Sequence, residues 1–167
     1  MFFSDYTSIM TSALVPLQAG TAAPDFTLAS TSGGSVTLSS FRGQKHVLLA
    51  FFPLAFTGVC TSELCAFSED FEVFASADVQ VLPISVDAIP SLKEFRNKFD
   101  MKVELLSDFK REASLAYGVL RPDTFFSNRA YFVVDKAGVI AWSHVEATPG
   151  TKRENSEILD AIRAIAV

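Results

Sequence analysis

Residues 45–52, KHVLLAFF, restrict the fold more than any other stretch of this chain. The six apolar residues that close this run leave no polar face, and six residues are too few for a helix to bury alone. Such a run suits a strand covered on both sides, as in a sheet sandwiched between helices. A second apolar run, VQVLPISVD at 79–87, repeats the pattern. Between them Leu64, Phe67, Phe71 and Phe74 recur at steps of three and four, the period of a helix. A strand, a helix and a second buried strand make the crossover unit of parallel sheets.

The flanks complete the layout. Gly33-Gly34 turns a hairpin in which Val36 and Leu38 alternate with polar residues. IPSLKEFRNKF opens with proline and serine and places Leu92, Phe95 and Phe99 on one helical face. EASLAYGV predicts a short helix stopped by Gly118. RAYFVVDKAGVIAWSHV predicts a hairpin with strands 130–134 and 139–145, and NSEILDAIRAIA a final helix. The expected architecture is α/β, a central mixed sheet with helices on both faces and an N-terminal β-hairpin.

The 167 residues suffice for one domain with a substantial core. We expect an N-terminal extension over 1–18 and a single domain over 19–167. The extension has no Lys or Arg ahead of its apolar middle and carries Asp5, unlike a secretory signal, so a cytoplasmic location is expected. A net charge of -5 with no basic cluster argues against nucleic acid. The longest apolar run, 47–56, contains Pro53 and is about half of what spans a bilayer, so no membrane role is expected.

Chemistry concentrates in FFPLAFTGVCTSELCAF, which holds both cysteines, Cys60 and Cys65. Pro53 ends strand pairing, because it has no N–H to donate. Cys60 then falls in the first helical turn, where free amides and the helix dipole favour a thiolate. Thr57, three residues earlier, has a hydroxyl within reach of the sulfur or of a bound oxygen. The plain alternative is a packed, inert cysteine. Two cysteines with the distant His46 and His144 match no zinc spacing, and both histidines read as structural.

The run PLAFTGVC fits Pro-x-x-x-Thr-x-x-Cys and resembles the peroxiredoxins, thiol peroxidases on a thioredoxin-like fold. The similarity extends from APDFTL at Ala23 through the final helix. FFPLAFTGVC with the following EL, LLSDF, AYGV and NRAYFVVDKAGVI resemble the alkyl hydroperoxide reductase E branch, often described as one-cysteine. The resemblance implies that Cys60 attacks a peroxide oxygen and becomes a sulfenic acid. It implies that Thr57 bonds the peroxide, that Pro53 shapes the pocket, and that Arg129 holds thiolate and peroxide oxygens. Glu63 corresponds to a glutamate of this branch, with Arg129 or the first helical turn as partner. As ordinary residues, Arg129 would be a surface charge at a strand edge and Glu63 an acid complementing the helix dipole.

Cys65 departs from the one-cysteine pattern. CTSELC matches the spacing of the bacterioferritin-comigratory (PrxQ-like) branch, where the second cysteine resolves the sulfenic acid to a disulfide. On one intact helix, Cys60 and Cys65 are about 7.5 Å apart along the axis and point roughly 140° apart. A disulfide between them therefore requires the helix start to unwind. The resemblance further implies a homodimer, no cofactor, and recycling by thioredoxin, a glutaredoxin-like protein or a low-molecular-weight thiol. Without Cys65, an external thiol would reduce Cys60 directly. A disulfide reductase and a copper carrier using both cysteines and His144 are the competing readings.

Overall fold

The computed structural model describes residues 15–165. Chain order runs β1 (Thr27–Ser30), β2 (Ser35–Thr37), a 3-10 turn (Leu38–Phe41), β3 (His46–Phe51), α1 (Gly58–Glu69) and α2 (Phe71–Ser76). It continues with β4 (Val79–Ser85), α3 (Ile89–Lys98), β5 (Leu106–Ser107), α4 (Glu112–Ala116), β6 (Ala130–Val134), β7 (Ile140–Val145) and α5 (Asn155–Ile165). The seven strands form one sheet in the order β2-β1-β5-β4-β3-β6-β7. This is the thioredoxin-like α/β fold with a mixed sheet and helices on both faces.

The apolar strands are central and parallel, with His46 opposite Val79 and Phe51 opposite Ile84. Successive side chains of a strand point to opposite faces. Leu48 and Ala50 accordingly join the core under α1, α3 and α5, with Phe67, Phe95 and Ile158. Val47, Leu49 and Phe51 join the other core, with Tyr117, Phe132 and Ile140. Both faces are covered, and the side chains β3 turns to them from Val47 to Phe51 are all apolar.

Three elements differ from the expected layout. β5 is two residues long, too short to show a period. It pairs parallel with β4 and antiparallel with β1, and so attaches the N-terminal hairpin to the sheet. The expected single helix after Thr57 is two: Asp70 leaves helical geometry at φ -89° and ψ 14°. Asn155 Nδ2 fills the break, donating to the Ala66 carbonyl at 3.0 Å and to Asp70 Oδ2 at 2.8 Å. β4 stops at Ser85 rather than Asp87, because the Ser85 hydroxyl turns to Asp87 Oδ2 at 2.7 Å.

Most of the expected extension, residues 1–14, lies outside the described residues. Its end is seated on the domain: Leu17 N–H donates to the Tyr117 carbonyl at 3.2 Å, and its side chain packs on the second core. The seat is Gly118, at φ +71°, where a Cβ would stand 2.0 Å from the Val15 carbonyl oxygen. Gly118→Ala should cost about 1–3 kcal/mol of unfolding free energy, from the left-handed backbone and the displaced chain together. Urea titration of both proteins measures the loss.

Candidate active site

The sheet delivers β3 to a loop tied at three points. Phe52 N–H makes a ladder bond to the Ile84 carbonyl at 2.9 Å, and Pro53, buried, has no N–H to continue. Ala55 N–H is caught by Asp87 Oδ2 at 2.9 Å, Ser127 Oγ donates to the Phe52 carbonyl at 3.2 Å, and Thr57 Oγ1 donates to the Leu54 carbonyl at 2.8 Å. Phe56 takes a left-handed φ of +63° between these ties, a strained state for a bulky residue. Its ring leans on Phe95 with centroids 4.9 Å apart.

Thr57 is the N-cap of α1, and the first bond of the helix runs from Thr61 N–H to the Thr57 carbonyl at 2.9 Å. The amides of 58–60 precede that ladder and form the donor end of the helix. Cys60 is the third helical residue. It is 1% exposed, while Thr57 and Gly58 above it are open to solvent. The Thr57 hydroxyl, expected within reach of the sulfur or of a bound oxygen, donates to the Leu54 carbonyl and closes the loop.

Sheet pairing brings Arg129 to Cys60 across 69 positions. Phe51, the last residue of β3, pairs with Ala130, so the preceding Arg129 lies beside the strand end from which α1 departs. Its Nη2 donates to Cys60 Sγ at 3.0 Å and to the Pro149 carbonyl at 3.1 Å. Its Nη1 donates to Glu63 Oε1 at 2.8 Å. Arg129 is 1% exposed and Glu63 2%, which replaces the surface roles that composition alone would assign to them.

The second Glu63 oxygen accepts the Tyr131 hydroxyl, and the Tyr131 oxygen accepts Arg153 N–H at 3.1 Å. Burial pushes the Glu63 carboxyl up, against the pull of the Arg129 charge and the Tyr131 and Arg129 hydrogen bonds. Burial also works against the Arg129 cation, but the charge of Glu63, and then that of Cys60, outweighs it and holds Arg129 above its ordinary value.

Tyr131, Pro149 and Arg153 were not among the predicted site residues. Tyr131 carried a usable signal, since it lies two residues after Arg129 where the chain enters β6, a spacing that turns both side chains to one face. The carbonyl of Pro149 and the amide of Arg153 are backbone groups, which residue type does not reveal.

Cys65 lies in the same helix as Cys60, half-buried and packed on the first core. Burial, and next the charge of Glu69, push its thiol up. His144 stacks on Tyr131 at 6.5 Å, with Glu146 Oε2 3.5 Å from its Nε2. Among the described residues no three His, Cys, Asp or Glu side chains stand close enough to hold a metal, so Cys60, Cys65 and His144 do not form the copper site of the carrier reading.

A profile of the AhpC/TSA family matches residues 19–143. The chain belongs to this family of peroxiredoxins. This peroxiredoxin is 40% identical over 151 residues to alkyl hydroperoxide reductase E of Mycobacterium tuberculosis, covering 89% of this chain and 98% of that one. It superposes on the reduced 2-Cys peroxiredoxin of Plasmodium vivax with a TM-score of 0.84 and 33% identity, covering 90% and 83% of the two chains. Against peroxidoxin BcpB of M. tuberculosis the TM-score is 0.79 at 26% identity, covering 89% and 98%. Peroxiredoxin-type thiol redox chemistry, an oxidoreductase function, follows from this membership.

Two outcomes follow from the site. Glu63→Ala leaves Arg129 buried without its carboxylate and should cost about 3–5 kcal/mol of stability, read by chemical denaturation. On a Cys60→Ser background, alkylation of Cys65 by iodoacetamide should be slow at neutral pH. It should rise with a midpoint above the roughly 8.5 of a free thiol, because only the thiolate reacts and burial disfavours it.

Proposed function

We propose that this peroxiredoxin reduces hydrogen peroxide and organic hydroperoxides through Cys60. The observation that carries the reading is the 3.0 Å bond from Arg129 to Cys60 Sγ, made by a guanidinium that a buried carboxylate holds in place. The Cys60 thiolate attacks the nearer peroxide oxygen. An S–O bond forms, the O–O bond breaks, and sulfur gives up two electrons. The departing oxide takes a proton and leaves as water or an alcohol, and Cys60 remains as a sulfenic acid.

Arg129 stabilises the charge as it moves from sulfur to oxygen, the role of a fixed donor aimed where charge develops. Thr57, with its hydroxyl proton committed to Leu54, offers its oxygen at the open end of α1 to accept from a hydroperoxide O–H. Pro53 closes the floor of the pocket and excludes water.

Cys65 then attacks the sulfenic sulfur, an S–S bond forms, and hydroxide leaves as water. A dithiol such as thioredoxin or a glutaredoxin-like protein reduces the disulfide. Unwinding of residues 61–64 must precede this step, and helix ends open at low cost. A second reading, direct reduction of Cys60 by an external thiol, is favoured by the unbroken α1 helix and the elevated Cys65 thiol. Exposed Phe56 and Phe125, both on loops, support assembly as a homodimer.

Intact mass after one equivalent of peroxide tests the scheme. Wild type should lose two hydrogens, Cys65→Ser should gain one oxygen, and Cys60→Ser should be unchanged. One added oxygen in wild type as well would establish the one-cysteine route. Arg129→Ala should lower the second-order rate with peroxide by about 10²–10³, measured by stopped-flow fluorescence of Trp142.

A further inference from the structure

We propose that Tyr131 is a positioning residue of this site: its hydroxyl holds Glu63 as the carboxylate that anchors Arg129 against Cys60. The inference deepens the peroxidase reading and its functional half rests on it. The argument begins with one proton. The Tyr131 oxygen accepts Arg153 N–H at 3.1 Å, an amide that can only donate. Tyr131 is fully buried, and its hydroxyl points at Glu63 Oε2. The phenol proton therefore goes to Glu63.

The other Glu63 oxygen receives Arg129 Nη1 at 2.8 Å. Both carboxyl oxygens thus meet donors, an arrangement that favours the ionised form. A protonated Glu63 would place its own proton against one of these donors, and Arg129 would lose the charge that fixes it. The hydrogen bond from Tyr131 favours the ionised Glu63 against the cost of burial.

The titratable and charged surroundings come from every neighbouring element. On α1, Cys60 shares Arg129 with Glu63. Tyr131 stands on β6 with Arg129 just before it, and the segment after β7 brings the charge of Lys152 toward Glu63. Around Tyr131, His144 of β7 stacks at 6.5 Å, and Glu146 joins His144 to Arg153. His144 is a second ionisable group in contact with Tyr131, so the test must separate it from Glu63.

Tyr131→Phe keeps the ring and its packing and removes only the hydroxyl. The Glu63 carboxyl, followed by carbon NMR on labelled reduced protein, should then titrate about one to two pH units higher than in wild type. That is the size of one lost hydrogen bond to a charged group. The acid limb of the peroxide reaction rate should move upward with it. On a Glu63→Gln background, Tyr131→Phe should leave the limb where it is, whereas a shift borne by His144 would persist.

An unchanged carboxyl titration in Tyr131→Phe overturns the inference. So does a carboxyl that moves while the rate limb stays, or a limb that moves equally on the Glu63→Gln background. A uniform loss of rate at every pH would reduce Tyr131 to a packing residue. Should wild type prove inert to peroxide while the carboxyl still moves, the hold on Glu63 stands and the peroxidase reading falls.

Discussion

A buried guanidinium organises this molecule. Arg129 ties α1, β6 and the segment after β7 through Cys60, Glu63 and the Pro149 carbonyl, at a depth where water does not compete. Burying a cation costs several kcal/mol even after relaxation. The acceptors around its two Nη groups offset part of that cost, while Nε has no partner among the described residues. Arrangements of α1 that move Glu63 or Cys60 strip Arg129 of an acceptor, and this restricts how that helix can sit on the sheet. The ion pair is thus better understood as a device of placement than as a source of net stability.

The same economy explains the loop before the site. The ladder of β3 stops at Pro53, which has no N–H to pair, and three hydrogen bonds, from Ala55, Ser127 and Thr57, replace it there. With these ties the chain tolerates Phe56 in a left-handed conformation. The turn that results starts α1 directly above the sheet edge, so Cys60 falls at the donor end of a helix and beside Arg129 together. Chemistry and fold share one constraint here. The segment that would open for Cys60 to meet Cys65, residues 61–64, contains Glu63, so a disulfide between them would draw on the anchor of Arg129.

Much of the architecture was legible from residue pattern. The continuous apolar runs announced strands buried on both faces, and they are the central parallel pair. The hairpins, α3 and the final helix followed from turn residues and period. β5 was not legible, because two residues carry no period, and its pairing is a property of its neighbours. The break at Asp70 was hidden for a related reason: Asn155, 85 positions away, makes the bond that fills it. At the site, the run from Pro53 to Cys60 stood out by spacing. The partner of the Thr57 hydroxyl was not legible, because the Leu54 carbonyl it bonds is a backbone group.

By itself the sequence determined the layer order, the position of Cys60 at the start of a helix and the wide separation of Cys65 from it, because periodicity and turn chemistry act within a few residues. Only the tertiary structure decided that Arg129 and Glu63 are buried partners, that Tyr131 belongs to them, and that backbone groups at Pro149 and Arg153 complete the set. Those facts depend on which strands lie side by side. Strand order is settled by the joint burial of distant apolar surfaces, and no short stretch of residues contains that information.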